Sequence, residues 1–190
     1  MSTVADPQGL RDQYATRKAA ILATVRDSGT STRGIRRTLQ KLAQLTEETL
    51  GTLWRQSGFG PPHALVAVGG FGRGEMFPHS DVDVLVLLPD GASAEAEPEL
   101  KARIETFIGS CWDAGLEIGS SVRTVADCIA EAEKDVTVQT SLLESRCIAG
   151  EPKLFADFRK RFRAALDPQA FFVAKTLELR QRHNKFENTP

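Results

Sequence analysis

Val68-Gly69-Gly70-Phe71-Gly72-Arg73-Gly74-Glu75-Met76-Phe77-Pro78-His79-Ser80-Asp81-Val82-Asp83-Val84 is the stretch that decides the fold. Apolar Ala64 to Val68 leads into it and reads as a buried strand, and Val82 to Leu88 leaves it as a second. Between them the glycines let the backbone turn sharply and approach a ligand closely. Side chains on a strand repeat every second residue, so Asp81 and Asp83 share one face, roughly 7 Å apart at Cα. Two carboxylates held side by side repel, which raises the pKa of one unless a cation lies between them. Oxygen donors suit a hard divalent ion. Magnesium fits best, because it takes one or two carboxylates and completes its shell with water and substrate phosphates. The stretch therefore reads as a site for a nucleoside triphosphate and its Mg²⁺.

Other phosphate-binding patterns fail on spacing. A dinucleotide fingerprint started at Gly70 and Gly72 would need a third glycine where Glu75 stands, followed by a long helix. A P-loop needs Gly-Lys-Ser/Thr, and no such tripeptide occurs. The plain structural alternative is a glycine-rich hairpin turn ending in a solvated Asp pair.

The pattern of an apolar strand, Gly69-Gly70, about ten residues and then Asp81-Val82-Asp83 between apolar neighbours resembles the nucleotidyltransferase superfamily. The longer string from Gly69 to Leu87 is similar to one branch, the bifunctional uridylyltransferase/uridylyl-removing enzymes that modify the PII nitrogen-regulatory protein. Two later segments carry the same likeness: Trp112 to Thr124, and Thr140-Ser141-Leu142-Leu143-Glu144-Ser145-Arg146 with Gly150 shortly after. The resemblance spans roughly Leu65 to Pro190. It implies an α+β fold, a small mixed β-sheet packed with helices on one side, with an N-terminal helical hairpin and a C-terminal helical extension. It also implies the reaction: UMP passes from UTP to a tyrosine hydroxyl of PII, and pyrophosphate leaves.

Site roles follow from charge together with this likeness. Asp81 and Asp83 are the candidate metal ligands, one ion polarising the α-phosphate and helping to ionise the nucleophile, the other bridging the β- and γ-phosphates. Backbone N–H groups at Gly69 and Gly70 can meet triphosphate oxygens at the start of a short helix. Arg73 either reinforces that contact or forms a surface ion pair with Glu75. Ser80 either hydrogen-bonds a γ-phosphate or caps its own turn. His79 reads as a turn residue, since magnesium prefers oxygen. Superfamily members often carry a third carboxylate on the strand after the intervening helix. Here that strand holds Glu117, then Gly119, Ser120 and Ser121. Glu117 is a candidate third ligand or a base for the incoming hydroxyl, with an exposed edge residue as the alternative. Ser120 stands where related enzymes commonly have histidine, and Arg123 is a further candidate phosphate partner. No residue here reads a base edge, so uracil rests on the resemblance alone. A nucleotidyltransferase using another nucleotide or acceptor, such as an adenylyltransferase, and a non-catalytic nucleotide-binding module both remain open.

Composition bounds the rest. The 190 residues suffice for one domain with a helical appendage, read as residues 1–60 an N-terminal helical region, 61–150 a nucleotidyltransferase core and 151–190 the start of a helical segment. Net charge is -1, so no global field favours nucleic acid or an anionic membrane. Arg33, Arg36 and Arg37 read as a solvated helix face or a contact for phosphate or an acidic partner. Cys111, Cys128 and Cys147 form no Cys-x-x-Cys pair and read as reduced core thiols. The N-terminus lacks a signal-like start, and no run reaches the roughly 18 apolar residues of a membrane span, so a soluble, cytoplasmic protein is expected.

Periodicity predicts two amphipathic helices before the motif, through Leu10, Tyr14, Ile21, Leu22 and Val25 and through Ile35 to Trp54. After it come a helix with Leu100, Ile104, Phe107, Ile108, Cys111 and Trp112 on its inner face, a third strand from Leu116 to Val122, helices capped by Thr124 and Asp135, and helices opening at Pro152 and Pro168. In the resembling enzymes a His-Asp hydrolase domain and two glutamine-sensing ACT domains follow. The three histidines here, His63, His79 and His183, include no His-Asp dipeptide, so the expected chain is a fragment carrying the transferase part only.

Overall fold

The computed structural model describes residues 7–28 and 31–185. Helices α1 (Pro7–Ser28) and α2 (Thr32–Gln56) form the N-terminal hairpin. Ser31 caps α2 by accepting from the Gly34 N–H at 3.1 Å, and Gly58 follows its end at φ +76°. Strand β1 (Ala64–Ala67), the four-residue helix α3 (Gly69–Gly72) and strand β2 (Val82–Leu88) carry the motif. Then come α4 (Pro98–Asp113), β3 (Ile118–Thr124), α5 (Val125–Lys134), α6 (Val136–Leu143), β4 (Arg146–Gly150), α7 (Pro152–Ala165) and α8 (Pro168–Lys185).

The four strands lie in the order β3-β2-β1-β4. β1 runs antiparallel to both neighbours, while β2 and β3, joined through α4, are parallel with Asp83 beside Gly119. The sheet is therefore mixed. Strand alternation divides its side chains between two cores. Leu65, Ala67, Val82, Val84, Val86 and Leu88 pack against α1, α2 and α4, where Trp54 stacks on Phe59 at 3.9 Å between ring centroids and meets Phe107 edge-on. Ala64, Val66, Val68, Leu85 and Leu87 pack against α5, α6 and α7 through Val125, Cys128, Leu142 and Phe158.

Helices thus cover both faces, not one as the resemblance implied, because β1 and the far half of β2 are apolar at every position. The helical hairpin, the mixed sheet and the helical extension are as expected. Thr124 and Asp127 form a capping box on α5, Asp135 caps α6 through the Thr137 N–H at 2.7 Å, and Asp167 accepts from Gln169 and Ala170 at the start of α8.

Three details differ from the sequence reading. Strand β4 was not expected: it is five residues long, half-buried and at a sheet edge, so its apolar signal is weak. The third strand starts at Ile118, and only Leu116 of its expected first residues is buried. Trp112, assigned to the inner face of α4, is 63 % exposed, because it lies one residue round the helix from the buried stripe of Leu100, Ile104, Phe107 and Cys111. Val25 lies outside the residues whose side chains are described. Among the described residues no helix is long and apolar enough to cross a membrane.

Candidate functional site

The site is built where β1 ends. The Val68 N–H donates to the Asp83 carbonyl at 3.1 Å, the last link between the two strands before the chain turns away. Gly69 makes that turn at φ +58°, a region costly for residues with a Cβ. The one-turn helix α3 follows, with Gly72 and Arg73 amides closing on the Val68 and Gly69 carbonyls. The first-turn amides at Gly69 and Gly70 lack acceptors within the helix. Gly72 is fixed by a different constraint: a Cβ there would stand 1.8 Å from the Glu144 carbonyl oxygen.

β2 returns with Asp81 just before its start and Asp83 second within it. By alternation both belong to the face of Leu85 and Leu87, but they lie beyond the end of its helical cover, so both are exposed. They line one cavity of about 260 Å³ together with Gly70, Arg73, Phe77 and Ser80. Gly69 adjoins it, since a Cβ at that position would lie 3.6 Å from Asp83 Oδ2. Gly69, Gly70, Arg73, Ser80, Asp81 and Asp83 are therefore gathered at one place. Glu117 shares a second, open hollow with Asp81.

Electrostatics mark the pair. Partial burial of the carboxyl, and then the neighbouring Asp81 charge, push the Asp83 pKa above its ordinary value. An anion held at that cost is relieved by a cation, and both donors are oxygens, so the pair fits a divalent ion that draws its other ligands from water and phosphate. Among the described residues no group of three or more His, Cys, Asp or Glu side chains is placed to hold a metal together. Glu117 thus does not complete a three-carboxylate cluster.

Other expected contacts are rearranged. Arg73 pairs with Glu144 and not with Glu75. Glu75 instead accepts from Arg36 at 3.1 Å, which ties the arginine-rich face of α2 to the turn. Ser80 donates to the Phe77 carbonyl at 3.1 Å, so its hydroxyl closes the turn even as the residue lines the cavity. His79 is an exposed turn residue. Ser120 and Arg123 line a third hollow of about 350 Å³, which opens beside Asp83 and is closed by α6.

Four residues of the site were not recognised from sequence. Gly119 lies directly beside Asp83, and a Cβ there would sit 2.6 Å from Asp83 Oδ1, so glycine leaves the carboxylate its space. Ser141, Glu144 and Arg146 all belong to the segment after α5 whose likeness was noted without a role. Ser141 Oγ would lie 3.4 Å from a Cβ on Gly69. Arg146 forms two 2.7 Å hydrogen bonds to Glu47 on α2, and two of 3.3 Å to the Gly72 and Phe71 carbonyls. That segment is the buttress of the glycine turn. Its only signal in the sequence is the family likeness of Thr140 to Arg146.

Comparison with known proteins gives the family. A family described as nucleotidyltransferase domain matches residues 48–137. The chain is 52 % identical over 192 aligned residues to the bifunctional uridylyltransferase/uridylyl-removing enzyme of Burkholderia mallei strain ATCC 23344, and equally to that of Burkholderia pseudomallei strain K96243. Each alignment takes in 100 % of this chain and 21 % of the relative, so the chain spans about a fifth of the length of the relatives it matches.

Proposed function

This chain carries the nucleotidyltransferase domain of the bifunctional uridylyltransferase/uridylyl-removing family, and on that premise we propose that it transfers UMP from UTP to a tyrosine hydroxyl of the PII protein, releasing pyrophosphate. One observation carries the proposal: Asp81 and Asp83 line the same cavity as the glycine turn. Cation ligands and phosphate-binding amides are thereby adjacent. The chemistry would take place in the cytoplasm, where UTP and PII meet.

Asp81 and Asp83 would hold Mg²⁺ through their carboxylate oxygens. When bound, it supplies neutralisation of the triphosphate and polarisation of the α-phosphate. The glycine-turn amides at Gly69 and Gly70 receive phosphate oxygens, and Arg73, fixed by Glu144, adds a positive charge at the cavity wall. Ser80 holds the turn that delivers Asp81. The hollow closed by α6, with Ser120, Arg123, Thr137 and Ser141 on its walls and Val68 and Leu142 as apolar floor, accommodates ribose and base.

In the reaction the tyrosine oxygen forms a bond to the α-phosphorus as the bond from that phosphorus to the β-bridging oxygen breaks. The electron pair leaves with pyrophosphate. The phenol proton, with an ordinary pKa of about 10, needs an acceptor near neutral pH, and in this reading that acceptor is the exposed Glu117 carboxylate, which lines one hollow with Asp81.

The test is transfer of α-labelled UMP to PII by the full protein in the presence of Mg²⁺. Label on PII from UTP, absent in Asp81→Asn and Asp83→Asn, is the expected result. Label from ATP alone would contradict the nucleotide, and no transfer from either would contradict the reaction.

A further inference from the structure

Resting on that reading, we infer that the open trench of about 610 Å³ containing Arg11, Asp81, Trp112, Glu117 and Gly119 receives the tyrosine-bearing segment of the acceptor protein, with Trp112 as its aromatic contact. Displacement at phosphorus places the attacking and leaving oxygens on opposite sides of the α-phosphorus. The glycine turn, where the pyrophosphate portion is held, leaves β1 on one side of β2. The trench opens on the other side, at the start of β3, and shares Asp81 with the turn cavity. The entering hydroxyl therefore comes from the trench.

The walls suit a protein segment. Trp112 is 63 % exposed on the last turn of α4, a large ring held in solvent at the edge of a reaction centre. Such rings recur as dominant contacts in protein recognition and stack readily on a phenol. The trench exceeds what one phenol ring fills, which leaves room for the flanking peptide. Arg11 comes from α1, outside the matched domain at residues 48–137, so the helix preceding the domain contributes to choosing the acceptor. The acceptor surface is thus built mainly from the matched domain itself, sharing Asp81 and Glu117 with the reaction centre, with Arg11 added from α1.

The experiment measures transfer by the full protein with Trp112→Ala, Trp112→Phe and Arg11→Ala, reading KM for the PII acceptor, kcat and, without acceptor, UTP affinity by calorimetry. Expected for Trp112→Ala is an acceptor KM raised about tenfold with UTP affinity held within about twofold, Trp112→Phe recovering most of the loss. Arg11→Ala, on a separate helix, shifts the same parameter in the same direction. An unchanged acceptor KM in both alanine variants, or an equal loss of UTP affinity, would overturn the inference. Absence of transfer by the unaltered protein would instead overturn the parent reading, and this one with it.

Discussion

Asp83 and Gly119 stand side by side on parallel strands, and a methyl group on Gly119 would come within 2.6 Å of Asp83 Oδ1. The carboxylate occupies the volume a side chain would otherwise fill. Gly119→Ala therefore moves Asp83 and leaves the strand in place, since the position needs no left-handed backbone. Displacing a group of the reaction centre by a fraction of an ångström to an ångström costs up to about 10²-fold in rate. Steady-state assays should give a fall in kcat of about 10- to 100-fold with a circular dichroism spectrum like the parent's; full activity would show that Asp83 has slack.

Replacing either carboxylate separates function from stability. Under the proposed mechanism Asp81→Asn and Asp83→Asn each remove a charge that stabilises the transition state, and a loss of about 10²- to 10³-fold in kcat is expected. For Asp83 stability should move the other way. Its folded pKa lies above 3.8, so the native state holds a proton to higher pH than the unfolded chain does. Stability in EDTA then falls as pH rises from about 3.8 through the raised folded value, and stays reduced above it. Asp83→Asn should flatten that part of the profile and melt higher than the parent at neutral pH. A lower melting temperature there would contradict the electrostatic account.

The buttress is testable without touching the cavity. Gly72→Ala sets a Cβ 1.8 Å from the Glu144 carbonyl, a backbone atom that cannot rotate aside, and should destabilise by roughly 1–3 kcal/mol in denaturant unfolding. Arg146→Ala removes both 2.7 Å bonds to Glu47 and leaves a half-buried carboxylate unpaired, with an expected cost of about 1–2 kcal/mol. Because Arg146 also binds the Gly72 and Phe71 carbonyls, UTP affinity should weaken in step. Parental stability in both variants would mean that the turn holds itself.

Thiol chemistry checks the packing. Burial pushes the Cys111 and Cys128 thiols up to about 12, and raises Cys147, which is only half-buried. In the folded protein at mildly alkaline pH a thiol reagent should modify Cys147 first, with Cys111 and Cys128 reacting only on unfolding. Three thiols reacting equally fast would contradict the two-core arrangement.

Strong periodicity and strong spacing made most of this legible in the chain. The two strands about the glycine turn, the caps at Thr124, Asp135 and Asp167, and the sharing of one face by Asp81 and Asp83 all follow from local rules whose range is a few residues. What stayed hidden depends on contacts distant in sequence. Gly119 reads as a weak spot in a strand until Asp83 is beside it. Glu144 and Arg146 lie more than 70 residues from the turn they brace, as the Arg73 to Glu144 and Arg146 to Gly72 bonds record separations of 71 and 74 residues. Strand β4 is assigned by its pairing with β1 and scarcely by its own composition. Trp112 is exposed because it flanks the buried stripe of α4 that ends in Cys111, and an apolar residue beside such a stripe reads in sequence as part of it.

The central claim is that Asp81 and Asp83 jointly hold the cation through which a nucleoside triphosphate binds beside the glycine turn. Calorimetric titration of the protein with UTP, in Mg²⁺ and again in EDTA, addresses it directly when repeated on the Asp81→Asn/Asp83→Asn double variant. The account predicts saturable uptake by the parent in Mg²⁺, none in EDTA, and none by the folded double variant in either. Equal uptake by parent and double variant would contradict it.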